Sequence, residues 1–219
     1  MKLIQKVIFS MTICRFLGNA CIEIISESDH IIIDPVFLTP PQKGIEKVFI
    51  THHHSDHINL DKLAEIRLQY SKEGKELEVY GPICLQDEFE IELTLIEPDL
   101  KINLNHGTVE VFENNCWKAE GCVAFLITIG GKKLLHTADS ANFSEQLRSI
   151  KDEIGICFIA CFESNFYDYL EFLNIIKPKM TIPYHFTAEK ERDARKLVDF
   201  LSNNNFNSRF LEIGEEFEF

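Results

Sequence analysis

Thr51-His52-His53-His54-Ser55-Asp56-His57 follows directly on the apolar run Val48 to Ile50 and leads to Asn59, a residue suited to cap a helix running through Leu63 to Tyr70. Four histidines and one aspartate thus fall within six residues of a strand-to-helix loop that apolar segments anchor at both ends. In such a loop His52 and His54 can face one point while Asp56 and His57 face a second point close by. Neutral imidazole and carboxylate are the donors that zinc accepts, with manganese and iron as substitutes. The plainer alternative is a solvated polar loop or an accidental nickel-binding surface patch; the apolar anchors and the acids further downstream count against it.

The remaining pattern predicts a layered α and β fold. Short strands are expected at Val7 to Phe16, Cys21 to Ile25, His30 to Ile33 and Lys47 to Ile50, and later at Val109 to Phe112, Val123 to Ile129 and Lys133 to His136. Gly130-Gly131 joins the last two as a tight hairpin. Ile156 to Ala160 and Met180 to Pro183 read as strands, Tyr167 to Ile176 as a helix, and two short strands are expected around Gly214. Thr187 is placed to cap a final helix in which Ala194, Leu197, Val198 and Leu201 recur at helical spacing. Glu189 to Asp193 reads as the solvated first turns of that helix, its acids complementing the macrodipole. Strands punctuated by helices, without strict alternation, without a fixed repeat and without a linker, favour one unit spanning residues 1–219.

Composition narrows the function. With 22 Lys plus Arg against 35 Asp plus Glu, the chain carries a formal charge of −13, and its basic residues are scattered, which argues against a nucleic-acid partner. Hydrophobic residues make up 45% and glycine and proline number only 10 and 7, so disorder, collagen and coiled coil are excluded. A chain of 219 residues buries enough surface to need no metal for its core, so any metal is chemical and not structural. No apolar run approaches the roughly 18 residues of a membrane span. Lys2 and Lys6 ahead of Val7-Ile8-Phe9 resemble a signal peptide, but Thr12 and Arg15 interrupt the apolar run, so an unprocessed start is expected. The seven cysteines, Cys14, Cys21, Cys84, Cys116, Cys122, Cys157 and Cys161, are an odd set, several lying in apolar runs; they read as reduced thiols of a cytoplasmic protein.

The form H-x-H-x-D-H identifies the loop as resembling the metallo-beta-lactamase fold superfamily. Leu17-Gly18-Asn19-Ala20-Cys21 with Ile31-Ile32-Ile33-Asp34-Pro35 is similar to the opening of its UlaG-like branch of metal-dependent hydrolases. Leu134 to Ser140 resembles the strand that ends in a glycine-aspartate pair, with Ala138 where glycine is usual, and Ile182-Pro183-Tyr184-His185-Phe186 resembles the strand that delivers the last histidine. The resemblance covers nearly the whole chain and implies a four-layer αββα sandwich with two divalent metal ions, zinc foremost, at one edge. By the same resemblance His52 and His54 bind the first ion, Asp56, His57 and His185 the second, and Asp139 bridges both. A carboxylate has two oxygens and can span two cations, which is consistent with that role.

One departure stands out. The family supplies a third histidine to the first ion about two dozen residues before the bridging aspartate, where this chain reads Glu113-Asn114-Asn115-Cys116-Trp117-Lys118-Ala119. Cys116 either takes that place as a thiolate or is an inert thiol beside Trp117, leaving the first ion short of a ligand. His53 is expected to point away from the ions and His136 to be a half-buried strand residue. Asp34 either orients a ligand histidine or simply starts a turn.

The reaction class implied is metal-assisted hydrolysis: a metal-bound hydroxide, oriented by Asp56 as the catalytic residue, attacks a small ester, lactone or phosphorylated metabolite. The alternatives are a phosphodiesterase or nuclease of the same fold and a non-catalytic metal-binding sensor derived from it. A di-iron oxidoreductase is disfavoured by His54, where that branch carries glutamate. The expected partner is a small molecule, with neither nucleic acid nor membrane, and a homo-oligomer is left open.

Overall fold

A computed structural model describes residues 11–140 and 142–219. The expected strand from Val7 therefore lies partly outside the described residues, as do Lys2, Lys6 and the apolar run Val7-Ile8-Phe9. Six strands come first: β1 (Ile13–Gly18), β2 (Cys21–Ile25), β3 (His30–Ile33), β4 (Lys47–Phe49), β5 (Glu78–Gly81) and β6 (Thr94–Leu95). Six more follow: β7 (Lys101–Asn103), β8 (Gly107–Glu113), β9 (Val123–Ile129), β10 (Lys132–His136), β11 (Ile156–Ala160) and β12 (Met180–Tyr184), and then β13 (Glu216–Glu218). The first six form one sheet in chain order, with β13 returning to pair antiparallel with β1; the second six form the other sheet. The helices are α1 (Leu60–Glu65), continued by a wider turn over Ile66–Tyr70, α2 (Cys84–Glu88), α3 (Glu145–Arg148), α4 (Phe166–Ile176) and α5 (Glu191–Asn203).

Side-chain alternation explains why the sheets stack. Along β2, β3 and β4, Ile22, Ile24, Ile31, Ile33 and Phe49 face the second sheet, while Cys21, Ile32 and Val48 face the opposite way. That outer face is covered by Leu63 and Ile66 of the first helical segment and Leu85 of α2. The second sheet is covered in turn by Leu147 of α3, Phe166, Tyr169, Phe172 and Leu173 of α4, and Ala194, Leu197 and Leu201 of α5. Helix, sheet, sheet and helix thus form the four-layer sandwich, with the central strands of both sheets buried on both faces.

Most expected elements are present within a residue or two. Asn59 caps α1 through its side-chain oxygen, which accepts from Lys62 N at 3.0 Å. Gly130 and Gly131 have φ of 56° and 75°, the pair of positive values that a two-residue turn between twisted strands requires, and they set Lys132 opposite Ile129. Two expectations need correction. Thr187 makes no capping bond, because a single tight turn over Ala188–Lys190 intervenes before α5. Around Gly214 one strand forms, β13; the stretch before it contributes only a bridge between Ser208 and Thr181.

The topology decides where a site can form. Strands β3, β4 and β5 run parallel in one sheet, and β10, β11 and β12 run parallel in the other. The loops after β4, β10 and β12 therefore leave from carboxyl ends, where parallel sheets characteristically gather their functional groups. The two sheets are stitched at this edge: Thr51 O accepts from Val123 N at 3.1 Å, and Phe186 O accepts from Asn19 N in the β1–β2 turn at 2.9 Å.

Candidate metal centre

Three loops bring six side chains together. The loop after β4 carries His52, His54, Asp56 and His57; the loop after β10 carries Asp139; and the residue after β12 is His185. They fall into two sets of potential ligands, His52, His54 and Asp139 in one, Asp56, His57 and His185 in the other, with donor atoms within 4.8 Å of one another in each. His52 and His57 are fully buried, whereas Asp56 is turned toward solvent. Asp139 stands between the sets: its Oδ2 lies 3.7 Å from His52 Nε2, and its Oδ1 lies 2.8 Å from His57 Nε2 and 3.3 Å from His185 Nε2.

The local backbone is bent to achieve this. Asp34, Ala138 and His185 have φ of 51°, 49° and 69°, values that side chains adopt rarely and that cost of order 1–3 kcal/mol each. Ala138 stands where glycine would enter that conformation freely, and its neighbour is Asp139. Such bends persist because the surrounding hydrogen bonds and packing enforce them.

A buried carboxylate sets the direction of the two innermost imidazoles. Asp34, fully buried, accepts from Thr51 N at 2.8 Å and from Thr51 Oγ1 at 2.9 Å, and its Oδ2 lies 2.7 Å from His57 Nδ1. Thr51 Oγ1 lies in turn 2.9 Å from His52 Nδ1. In the ligating state both histidines would donate through Nδ1, to Asp34 and to Thr51, which turns each Nε2 toward the centre. Asp34 therefore orients a ligand-type histidine, one of the two roles its sequence left open.

These residues fit divalent ions. Two pairs of ring nitrogens face each other, His52 Nε2 with His54 Nδ1 at 3.0 Å and His57 Nε2 with His185 Nε2 at 3.2 Å. Asp139 Oδ1 is buried, 2.8 Å from His57 Nε2 and 3.3 Å from His185 Nε2. Ring nitrogens that converge in pairs beside a buried carboxylate suit a cation that all of them can share, whereas a proton serves one pair at a time.

Electrostatics agree. Burial opposes charge on His57, but Asp139 and Asp34 on its two sides outweigh it and raise its pKa well above the ordinary value. Burial, reinforced by the charge on His57, lowers His52 to about 3. A hydrogen bond from His185 lowers Asp56 to about 2, against the opposing effect of burial. Burial would raise Asp139, but His57 and His185 hold it well below the carboxylate range. An ion at His57 Nε2 must displace a proton, so affinity is expected to rise with pH.

His53 does not join either set of ligands. His136 is fully buried, not half-buried as expected: it packs on Tyr184 with ring centroids 4.7 Å apart, and its Nε2 has no partner. Burial lowers its pKa to about 4. The unfolded chain therefore binds a proton below about pH 6.5 that the folded chain refuses until about pH 4, so this residue makes stability fall as pH falls through that window. The expected loss is roughly 3 kcal/mol between pH 6.5 and 4. Urea midpoints of the ion-free protein at several pH values should show it, and His136→Leu should flatten the slope by about one proton; equal slopes would remove His136 as the cause.

The expectation of seven reduced thiols is corrected at one pair. Cys116 and Cys122 are joined by a disulfide, while Cys14, Cys21, Cys84, Cys157 and Cys161 are free. Left-handed turns at Lys118 and Gly121 fold the intervening loop back and bring the two Cα atoms to 6.0 Å. Both sulfurs lie beside His52, and Cys122 Sγ is 3.9 Å from its Nδ1. A disulfide sulfur carries no thiolate, so in this state Cys116 is not the third donor that its position suggested.

The centre opens into a cavity of about 840 Å³ lined by His54, Asp56, Asp139 and His185 on its floor. Trp117, 77% exposed, and Phe162 form apolar walls, and Asn115, Asn142 and Asn165 add amides. Lys190 is the one Lys or Arg among the described residues that line it. Sequence reading passed over Phe162, the asparagines and Lys190 as wall residues; none has a local signature, since they come from four separate segments, after β8, β10, β11 and β12.

Fold and site together define a protein of the metallo-beta-lactamase class. Residues 15–200 match the family described as Beta-lactamase superfamily domain, and the chain belongs to it, as the H-x-H-x-D-H motif implied. A UPF0173 metal-dependent hydrolase of Carboxydothermus hydrogenoformans is 24% identical over 199 residues, which cover 79% of this chain and 84% of that protein. Among solved structures, Igni18, a metallo hydrolase from Ignicoccus hospitalis, superposes with a TM-score of 0.72 at 16% identity, covering 95% of this chain and 98% of the other. The metallo-beta-lactamase fold protein YhfI from Bacillus subtilis gives 0.74 at 14% identity, covering 96% and 100%. No helix among the described residues is long and apolar enough to cross a membrane.

Proposed function

We propose that this metal-dependent hydrolase binds two divalent ions, zinc foremost, and cleaves a small anionic ester, lactone or phosphorylated metabolite. His52, His54 and Asp139 would hold the first ion, and Asp56, His57 and His185 the second, with Asp139 shared. The observation that carries the reading is the placement of Asp139, whose two oxygens face the two sets separately, 3.7 Å from His52 on one side and 2.8 Å and 3.3 Å from His57 and His185 on the other. Ions in those places supply Lewis acidity and make water acidic enough to ionise near neutral pH.

The chain's own residues do the rest. Asp56, ionised and open to the cavity, is suited to orient the attacking water and to take up its proton. Asp34 and Thr51 keep His57 and His52 in the ligating tautomer. Lys190 offers the cavity's cation to an anionic substituent such as a carboxylate or phosphate, and Trp117 and Phe162 exclude water from one side and offer aromatic faces to a ring or short carbon chain. A single lysine over the cavity and a charge of −13 favour a small molecule over a nucleic acid. The whole chain would act as one unit, since residues from the loop after β4 through the turn before α5 meet at this cavity.

Elemental analysis of the wild type beside His185→Ala tests the ligand set, and a panel of esters, lactones and phosphate esters tests the substrate class. About two ions per chain in the wild type, about one in His185→Ala, and at least a hundredfold loss of turnover are expected. Unchanged metal content in His185→Ala would remove that residue from the site.

A further inference from the structure

We infer that Cys116 and Cys122 form a reversible thiol–disulfide site that controls occupancy of the first ion. In the dithiol state the Cys116 thiolate completes the first ion's ligands; in the disulfide state that ligand is withdrawn. The inference rests on the reading that His52, His54 and Asp139 hold the first ion.

The two cysteines are not equivalent. Cys116 is partly exposed and lines the cavity with His54 and Asp139, two of the three residues proposed to hold the first ion. Cys122 is buried behind the same ring, 3.9 Å from Nδ1. The first is therefore positioned as ligand and as the thiol that reagents meet, the second as its resolving partner. His52, His54 and Asp139 make three donors, one fewer than a tetrahedral zinc site uses, and a thiolate from Cys116 makes the fourth. In the groups of potential ligands that include His52, the donors besides His54 and Asp139 are these two sulfurs, and His57 is grouped with Asp56 and His185.

A purely structural cross-link is a poor account of this bond. It joins residues only six apart, and closing so short a loop restrains the unfolded chain least. The loop already holds itself, with Ala119 N donating to Cys116 O at 3.3 Å.

The exchange balances with a small disulfide as oxidant. The Cys116 thiolate attacks one sulfur of glutathione disulfide, forming a mixed disulfide and releasing one glutathione thiolate. The Cys122 thiolate then attacks Cys116 Sγ and releases the second. The pair loses two electrons and two protons, the two glutathiones gain them, and dithiothreitol reverses the exchange.

The test uses the full chain and zinc alone. Protein reduced with dithiothreitol and protein then oxidised with glutathione disulfide are each loaded with zinc, dialysed, and measured for zinc content and, by alkylation and intact mass, for free thiols. The dithiol form should hold about two zinc ions and the disulfide form about one, with two fewer alkylated thiols, and dithiothreitol should restore both values. Cys122→Ala, reduced, should still hold about two, and Cys116→Ala about one whatever the oxidant. Equal zinc in dithiol and disulfide forms, two ions in each, would overturn the switch and leave the hydrolase reading standing. Failure of the pair to exchange with either reagent would also overturn it. No zinc in either form would overturn the metal centre and the switch with it.

Discussion

Asp139→Asn is expected to lower kcat/KM by about a thousandfold and to leave no more than about one ion per chain, because an amide cannot bridge two cations. The carboxylate presents one oxygen to the His52 side and the other to the His57 and His185 side. Asparagine keeps that shape, so packing is retained, but only one of its two terminal atoms is an acceptor; the other is an NH₂ that repels a cation. The missing negative charge also removes the main attraction that favours the protonated form of His57 over burial. Metal analysis, kinetics on whichever ester or phosphate ester the wild type cleaves, and a thermal melt to verify folding would decide the matter. Two ions retained in the folded variant would show that Asp139 is not shared.

The second large effect comes from a residue that never reaches the cavity. Asp34→Asn should weaken the second ion by about 10–100-fold while leaving the backbone intact. Asp34 sits at φ 51°, a conformation that asparagine tolerates nearly as well as any residue other than glycine. Its Oδ1 can still accept from Thr51 N, which leaves the new NH₂ where Oδ2 met His57 Nδ1. Two donors cannot face each other, so His57 must shift its proton to Nε2, the atom that points toward His185 and Asp139. The ligating lone pair is then gone. Competition with a chelator measures the loss directly. Asp34→Ala adds a folding cost of about 3–5 kcal/mol, since it strands the Thr51 and His57 donors in a site of zero exposure. Equal zinc affinity in Asp34→Asn and wild type would reduce Asp34 to a turn residue.

Both effects depend on features of unequal legibility. The strands Cys21–Ile25, His30–Ile33, Val123–Ile129 and Ile156–Ala160 were readable to the residue, because sheets buried on both faces need runs of branched and aromatic side chains. The stretch from Glu78 to Asn103, which holds three short strands and α2, carried no comparable signal: its strands are two to four residues long, two of them largely exposed, and acidic residues interrupt the apolar pattern. Those strands exist because neighbours offer open edges to pair with, which is information held by the rest of the fold.

The candidate site divides the same way. The histidine loop was visible because its members are adjacent in the chain, and Asp139 and His185 because the surrounding words resemble a family. The pairing of Cys116 with Cys122 was not visible: it follows from turns at Lys118 and Gly121, whereas an odd number of cysteines, several in apolar runs, suggested reduced thiols. Nor was the choice between the two roles of Asp34, which depended on whether Thr51 and His57 fold back onto it.

Element type, hairpin position and the kinds of ligand available were determined by sequence alone, since they depend on side-chain chemistry over a few neighbouring residues. Which oxygen of Asp139 faces which histidines, which of the two cysteines opens to the cavity, and that Lys190 overlooks it were decided only by tertiary structure. Those relations join residues tens of positions apart, and their geometry comes from how two sheets pack and where parallel strands end, which no local pattern encodes.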